Sequence, residues 1–322
     1  MLNWRTIQKQ NFTRWEKLAD FLEIKDRNSI LHTPTFPLNI PRRLAEKIPK
    51  NTLHDPLLRQ FLPLKEENID RLGFSMDPVS DTSFQKTPRL LKKYAGRALL
   101  ICTSACVMNC RFCFRQNYPY EQTIPSFHEE IKMLKEDSSI FEVILSGGDP
   151  LSLSDEKLRE LIHSLEKIPH LKLLRFHTRF PIGIPERITE EFLKILKDSR
   201  LQTIFVLHTN HPRELDDDVL YSLKKIPGTL LSQTVLLKGV NDNLSILKSL
   251  FLKLSMHGII PYYLHQLDRV KQAAHFEVPI EKGKKLIQEL RECLPGYAVP
   301  QYVQEIANEG YKTPLVDAEK LE

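Results

Sequence analysis

Cys106-Val107-Met108-Asn109-Cys110-Arg111-Phe112-Cys113 sets three thiols at C-x3-C-x2-C spacing, just after the apolar run 98–101. Three thiolates this close can grip three corners of a four-iron cluster and leave the fourth iron open to bind and reduce another molecule. A structural zinc site wants a fourth protein ligand. Cys102 offers one, four residues before Cys106, so spacing alone leaves a zinc knot open. Against it, Cys102 ends a predicted strand, where a thiol is usually just a small buried side chain. Phe112 and Phe114 suit the shielding of a cluster from water.

Outward from this loop, the chain from residue 97 alternates strand-like apolar runs with amphipathic stretches. Strands are predicted over 98–102, 141–146, 171–176, 203–207, 230–236 and 259–264. Helices are predicted near 127–135, 155–167, 186–198, 214–224, 244–257 and 280–293. Repeated βα units imply a parallel sheet, and six of them fit an incomplete barrel or a doubly wound sheet equally well. Chemically rich residues follow five of the six strands. These are the cysteine loop, Gly147-Gly148-Asp149, His177-Thr178-Arg179, His208-Thr209-Asn210-His211 and His265 to Asp268. Strand C-terminal ends share one face in such architectures, and active sites form there. The pattern favours an enzyme over a passive metal module.

Residues 1–90 lack this rhythm. A helix is predicted over 11–24 through Trp15, Leu18, Phe21 and Leu22. Short helices broken by turns follow over 34–63, one opened by Asp55 as N-cap and Pro56 in the first turn. No chemistry is legible there, and a helical cap is expected. The 322 residues are 41% hydrophobic and 27% charged, ordinary for a soluble globular protein. No apolar run nears the roughly 18 residues of a membrane span, and the polar start lacks a signal-peptide core, so no membrane association and a cytoplasmic location are expected. Four of the five cysteines crowd one segment, which reads as metal ligation, not disulfides. A net charge of +5 is too mild to argue direct nucleic-acid binding.

The cysteine motif, with Phe114-Arg115 and then Gly147-Gly148-Asp149-Pro150-Leu151, resembles the radical S-adenosylmethionine superfamily. The resemblance implies a [4Fe-4S] cluster on Cys106, Cys110 and Cys113, with S-adenosylmethionine chelated to the open iron and lined by Gly147, Gly148, Asp149, His208 and Gln233. Glycine suits that loop because it permits positive φ and close backbone approach. Glu309-Gly310-Tyr311-Lys312-Thr313-Pro314-Leu315 is similar to the segment of lysine 2,3-aminomutases that carries the pyridoxal 5'-phosphate lysine, and Lys312 matches that lysine. Arg97, Tyr94 and Lys93 match the segment that holds the cofactor phosphate, although an arginine is expected where Lys93 stands. Arg115 matches the arginine that grips the substrate carboxylate, a task suited to a guanidinium fork. Asp268 and Glu305 match the carboxylates at the distal ammonium of lysine, Glu305 on a longer arm than the family's aspartate. The family's glycine run before the lysine reads Asn308-Glu309-Gly310-Tyr311 here.

The resemblance implies a partial (β/α)6 TIM-like barrel over 91–298, a helical segment over 1–90 and a short segment over 299–322 bearing Lys312. It implies an enzyme converting L-lysine to β-lysine, driven by an external reductant such as flavodoxin or ferredoxin. The chain ends soon after Lys312, without the extension that free-standing lysine aminomutases use for assembly. That feature, with Asp55-Pro56-Leu57-Leu58-Arg59-Gln60 and Gly73-Phe74-Ser75-Met76-Asp77-Pro78, resembles the subgroup that makes (R)-β-lysine for elongation factor P and its lysyl-ligase. Two alternatives stay open: a 2,3-aminomutase acting on glutamate or ornithine, and a zinc-stabilised module binding RNA or a translation factor.

Overall fold

Strand alternation decides what each side of the sheet meets. In Leu173–Thr178, Leu174 and Phe176 are buried in the apolar core, while Arg175 and His177 line a central cavity. Phe176 stacks on Phe205 of the next strand at 4.6 Å, and Phe192 from a helix meets both edge-on. The inward positions are thereby left to polar chemistry.

The computed structural model describes residues 3–120, 126–307 and 309–315. Ten strands form one sheet in chain order: β1 Gln85–Thr87, β2 Leu90–Leu91, β3 Arg97–Thr103, β4 Glu142–Gly147, β5 Leu173–Thr178, β6 Gln202–His208, β7 Thr229–Val235, β8 Ile260–His265, β9 Gln301–Gln304 and β10 Thr313–Pro314. Every pairing from β3 to β9 is parallel, and the short outer pairings are antiparallel. A helix follows each strand from β3 to β8: His128–Glu136, Asp155–Glu166, Glu190–Asp198, Asp217–Lys224, Leu244–Met256 and Ile280–Cys293. This is a partial (β/α)6 barrel, and the doubly wound alternative falls away because neighbours in the sheet are neighbours in the chain.

All six predicted strands form, each displaced by no more than two residues at either end. Two helices start later than predicted, where a better cap stands. Pro185–Arg187 makes a separate 3-10 turn, and Thr189 Oγ1 accepts from Phe192 N at 3.0 Å to open the helix at Glu190. Asp216 caps Val219 N at 2.9 Å, which moves the next start to Asp217. The helix predicted over 11–24 is confined to Trp15–Phe21.

Two additions frame the site. β9 continues the barrel sheet beyond β8, with Tyr302 opposite Leu264, so residues after 299 extend the same sheet. At the other end of the chain, Trp4, Leu18, Leu57 and Phe61 belong to the same hydrophobic cluster as the barrel. Among the described residues, no helix is long and apolar enough to cross a membrane.

Candidate active site

The barrel encloses a cavity of about 400 Å³ lined by Cys106, Cys110 and Cys113, but not by Cys102. Cys102 is fully buried in the apolar core, and that burial pushes its thiol up to about 12. Among the described residues, no set of three His, Cys, Asp or Glu side chains converges on a single-ion site. Three thiols lining one cavity suit a cluster, whose separate irons are gripped one by one. Burial also raises the Cys113 thiol to about 11 and the Cys110 thiol above its ordinary value, with Arg179 pulling Cys110 back.

The cysteine loop is clamped by the N-terminal segment. Asn11 Nδ2 donates to Val107 O at 2.8 Å, Asn39 Nδ2 to Cys106 O at 3.2 Å, and Arg111 N to Gln60 O at 2.9 Å. Arg111 is 1% exposed and forms a buried ion pair with Glu67, its Nε 2.8 Å from Oε1. The expected helical cap therefore also holds the loop that presents the thiols. Sequence gave no sign of this, because each partner is polar, isolated and far away along the chain.

Beside this loop runs the turn after β4. Gly147 has φ of +110°, in the region that favours glycine. A Cβ on Gly148 would collide with the carbonyl oxygens of Ser104 and Ala105. The glycine pair thus lets two backbone loops touch, with Gly148 N donating to Thr103 O at 2.7 Å and Asp149 N to Ala105 O at 2.9 Å. Close approach to a ligand was the expectation; close approach of the two loops is what is observed. The Asp149 carboxylate accepts from Leu151 N, Thr178 Oγ1 and Arg179 N, at 3.0, 2.8 and 2.8 Å. Burial raises its carboxyl to about 6 against those donors. Asp149 lines the cavity, but its oxygens tie β4 to β5. His208 and Gln233 stand opposite each other at the ends of β6 and β7. The His208 ring stacks on Phe112 at 5.6 Å, and its buried Nε2 has no hydrogen-bond partner among the described residues.

Lys312 reaches the same cavity from the turn between β9 and β10. Its Nζ bonds Glu305, which also accepts from Tyr94 Oη and lies 2.6 Å from Lys93 Nζ. Burial opposes ionisation of Glu305, and these three donors outweigh it, holding its carboxyl down at about 2. Glu305 was expected at a substrate ammonium; its oxygens are instead engaged by three protein donors. Lys93 and Tyr94, expected at a phosphate, are drawn to Glu305 by the same contacts. Arg97 packs over the Tyr94 ring at 4.6 Å and makes no ion pair among the described residues. Asn308, the first residue of the run before Lys312, lies outside the described residues.

Arg115 is buried, with Nε donating to Asp81 Oδ2 at 2.8 Å and Nη1 to Ser146 Oγ at 3.1 Å. Its Nη2 has no partner among the described residues. Two of its three nitrogens are therefore held, and Nη2 is left available. Asp268 lines the cavity and has no side-chain donor among the described residues. Burial pushes its carboxyl up to about 7, with Lys312 the main opposing influence. His177 and His265 also line the cavity, and burial lowers both, His265 to about 3, so both are neutral. Both histidines stand just past the ends of predicted strands, a local signal of a place at the site. Asp81 carried no such signal.

Residues 100–243 match the family model described as the Radical SAM superfamily. The chain is similar to the L-lysine 2,3-aminomutase of Haemophilus influenzae, 41% identical over 97% of this chain and 95% of that protein. It is also 41% identical to the Escherichia coli protein of that name, over 97% of this chain and 94% of the other. Against the L-lysine 2,3-aminomutase of Clostridium subterminale it is 32% identical over 84% of this chain and 66% of the other.

Proposed function

Since this chain belongs to the lysine 2,3-aminomutase family of radical S-adenosylmethionine enzymes, we propose that it moves the α-amino group of L-lysine to C3, giving (R)-β-lysine. The superfamily implies a [4Fe-4S] cluster and S-adenosylmethionine; pyridoxal 5'-phosphate belongs to the proposal. The observation that carries the reading is the single cavity shared by the three thiols, Lys312, Arg115 and Asp268.

The residues suit these groups. Cys106, Cys110 and Cys113 would hold three irons, with Gly147, Gly148, His208 and Gln233 around S-adenosylmethionine. Arg97, without a carboxylate partner among the described residues, would meet the phosphate of pyridoxal 5'-phosphate, and Lys312 would bind its aldehyde. When bound, these groups supply a carbon radical that takes a hydrogen atom and a π-system that carries the migrating nitrogen. The protein itself binds and orients. The Nη2 group of Arg115 grips the substrate carboxylate, and the ionised form of Asp268 receives the distal ammonium. Glu305 keeps Lys312, Lys93 and Tyr94 gathered at the far wall. Phe112 and the barrel wall exclude water, which protects a radical from stray hydrogen donors.

Asp268, a carboxylate without a side-chain donor among the described residues, favours a cationic side chain over glutamate. It does not fix chain length, so ornithine is the competitor to include. The test is anaerobic incubation of reconstituted protein with S-adenosylmethionine, pyridoxal 5'-phosphate, dithionite and each amino acid. Formation of β-lysine from lysine alone supports the reading; turnover of glutamate instead would overturn the substrate. Delivery of the product to elongation factor P is the further part of the proposal. It predicts that the factor loses the mass of one β-lysyl group when this gene is deleted.

A further inference from the structure

One buried cation is not used by the binding roles above. Arg179 follows β5 directly and is 5% exposed. Its Nη1 donates to Cys110 Sγ at 2.9 Å, and its Nη2 to Gln60 Oε1 at 2.7 Å and Glu214 Oε1 at 3.0 Å. Phe61 and Phe112 pack against its guanidinium at 5.2 and 5.7 Å. Glu214 is 0% exposed and also accepts from Gln60 Nε2, Thr209 Oγ1 and Asn210 N, at 2.9, 3.0 and 3.3 Å. No side-chain hydrogen bond reaches the sulfur of Cys106 or Cys113 among the described residues. The charge is thus aimed at one thiol of three, in a setting with little water to screen it.

We propose that Arg179 and Glu214 form an opposed pair that sets the reduction potential of the iron–sulfur cluster through the Cys110 sulfur. This rests on the reading that the three cysteines hold that cluster. Reduction adds negative charge that spreads onto the thiolate sulfurs. An N–H donor and a cation at one sulfur stabilise the reduced state and raise the potential. Glu214 offsets part of that cation and restrains the rise. Burial makes both effects larger than at a surface. Gln60 and Asn210 hold the geometry, with Asn210 Nδ2 donating to Gln60 Oε1 at 3.0 Å.

The experiment is an anaerobic redox titration of reconstituted protein, followed by the electron paramagnetic resonance of the reduced cluster, with iron and sulfide content measured alongside. Arg179→Gln should shift the midpoint to a more negative value and Glu214→Gln to a more positive one, at unchanged iron content. A purely structural role would not give opposite signs. Shifts in the same direction, or no shift in either variant, would overturn the proposal. If Arg179→Gln binds no iron, Glu214→Gln decides: a raised midpoint supports the pair and any other result rejects it. If both lose iron, Arg179→Lys decides, since a midpoint below wild type supports the Nη1–sulfur bond and an unchanged one rejects it. Absence of any cluster signal from the wild-type chain would instead defeat the reading of the cysteine triad.

Discussion

Asp268→Asn gives the sharpest perturbation, because it acts on stability and on substrate binding with predictable signs. In the unfolded chain this carboxyl titrates near 3.8, and in the folded protein burial holds it near 7. The native state therefore keeps a proton that the unfolded chain has already lost. Stability from this group is greatest below pH 3.8, falls as pH rises and levels off above about 7. The gap between 3.8 and about 7, at about 1.4 kcal/mol per pH unit, amounts to about 4 kcal/mol at most. Asparagine removes this cost. Urea unfolding of the apo chain should show the variant and wild type diverging by about 2 kcal/mol at pH 5 and about 4 kcal/mol at pH 8. A stability difference that stays constant with pH would refute the reasoning. Binding has the opposite requirement, since a lysine ammonium needs the carboxylate. Lysine affinity for the wild type should weaken up to tenfold per pH unit below about 7, and the variant should lose that dependence.

Glu67→Ala leaves the buried Arg111 guanidinium without its carboxylate and should cost about 3–5 kcal/mol in chemical unfolding. Iron loading should fall with it, since Arg111 lies inside the cysteine loop. Gly148→Ala forces a Cβ into the Ser104 and Ala105 carbonyls, so calorimetry should show weaker S-adenosylmethionine binding and a lower melting temperature. Normal binding there would mean the two loops do not need their observed contact. Cys102→Ser should retain full iron and sulfide, whereas Cys106→Ser should lose the cluster; the reverse result would displace the triad. Lys312→Ala should abolish the absorbance of a lysine-bound pyridoxal, and its survival would move that linkage elsewhere.

The βα core was legible because each strand is a short apolar run and each helix carries a regular buried stripe, such as Leu158, Leu161, Ile162 and Leu165 in Asp155–Glu166. The three thiols, the glycine turn and the strand-end histidines were legible for the same reason, since their spacing or place in the rhythm is local. The N-terminal clamp was not. Glu67 meets Arg111 across 44 residues and Gln60 meets Arg179 across 119, and neither glutamate nor glutamine carries a local sign of such a partner. Asp81, which holds Arg115, sits in a turn after Ser80 at φ of +55° and belongs to no repeat. β9 is four residues long, too short to establish a period, and only its pairing with β8 reveals it. The role of Glu305 depended on geometry too, because nothing in its spacing says that it faces Lys312, Lys93 and Tyr94 together.

The central claim is nitrogen migration by a radical generated at the cysteine triad, and isotope tracing tests it most directly. L-Lysine labelled with ¹⁵N at the α-amino group is incubated anaerobically with the reconstituted protein, S-adenosylmethionine, pyridoxal 5'-phosphate and dithionite. The account predicts β-lysine carrying ¹⁵N on C3, formed in many turnovers for each S-adenosylmethionine lost. Unchanged lysine, or consumption of one S-adenosylmethionine per turnover without β-lysine, would contradict it.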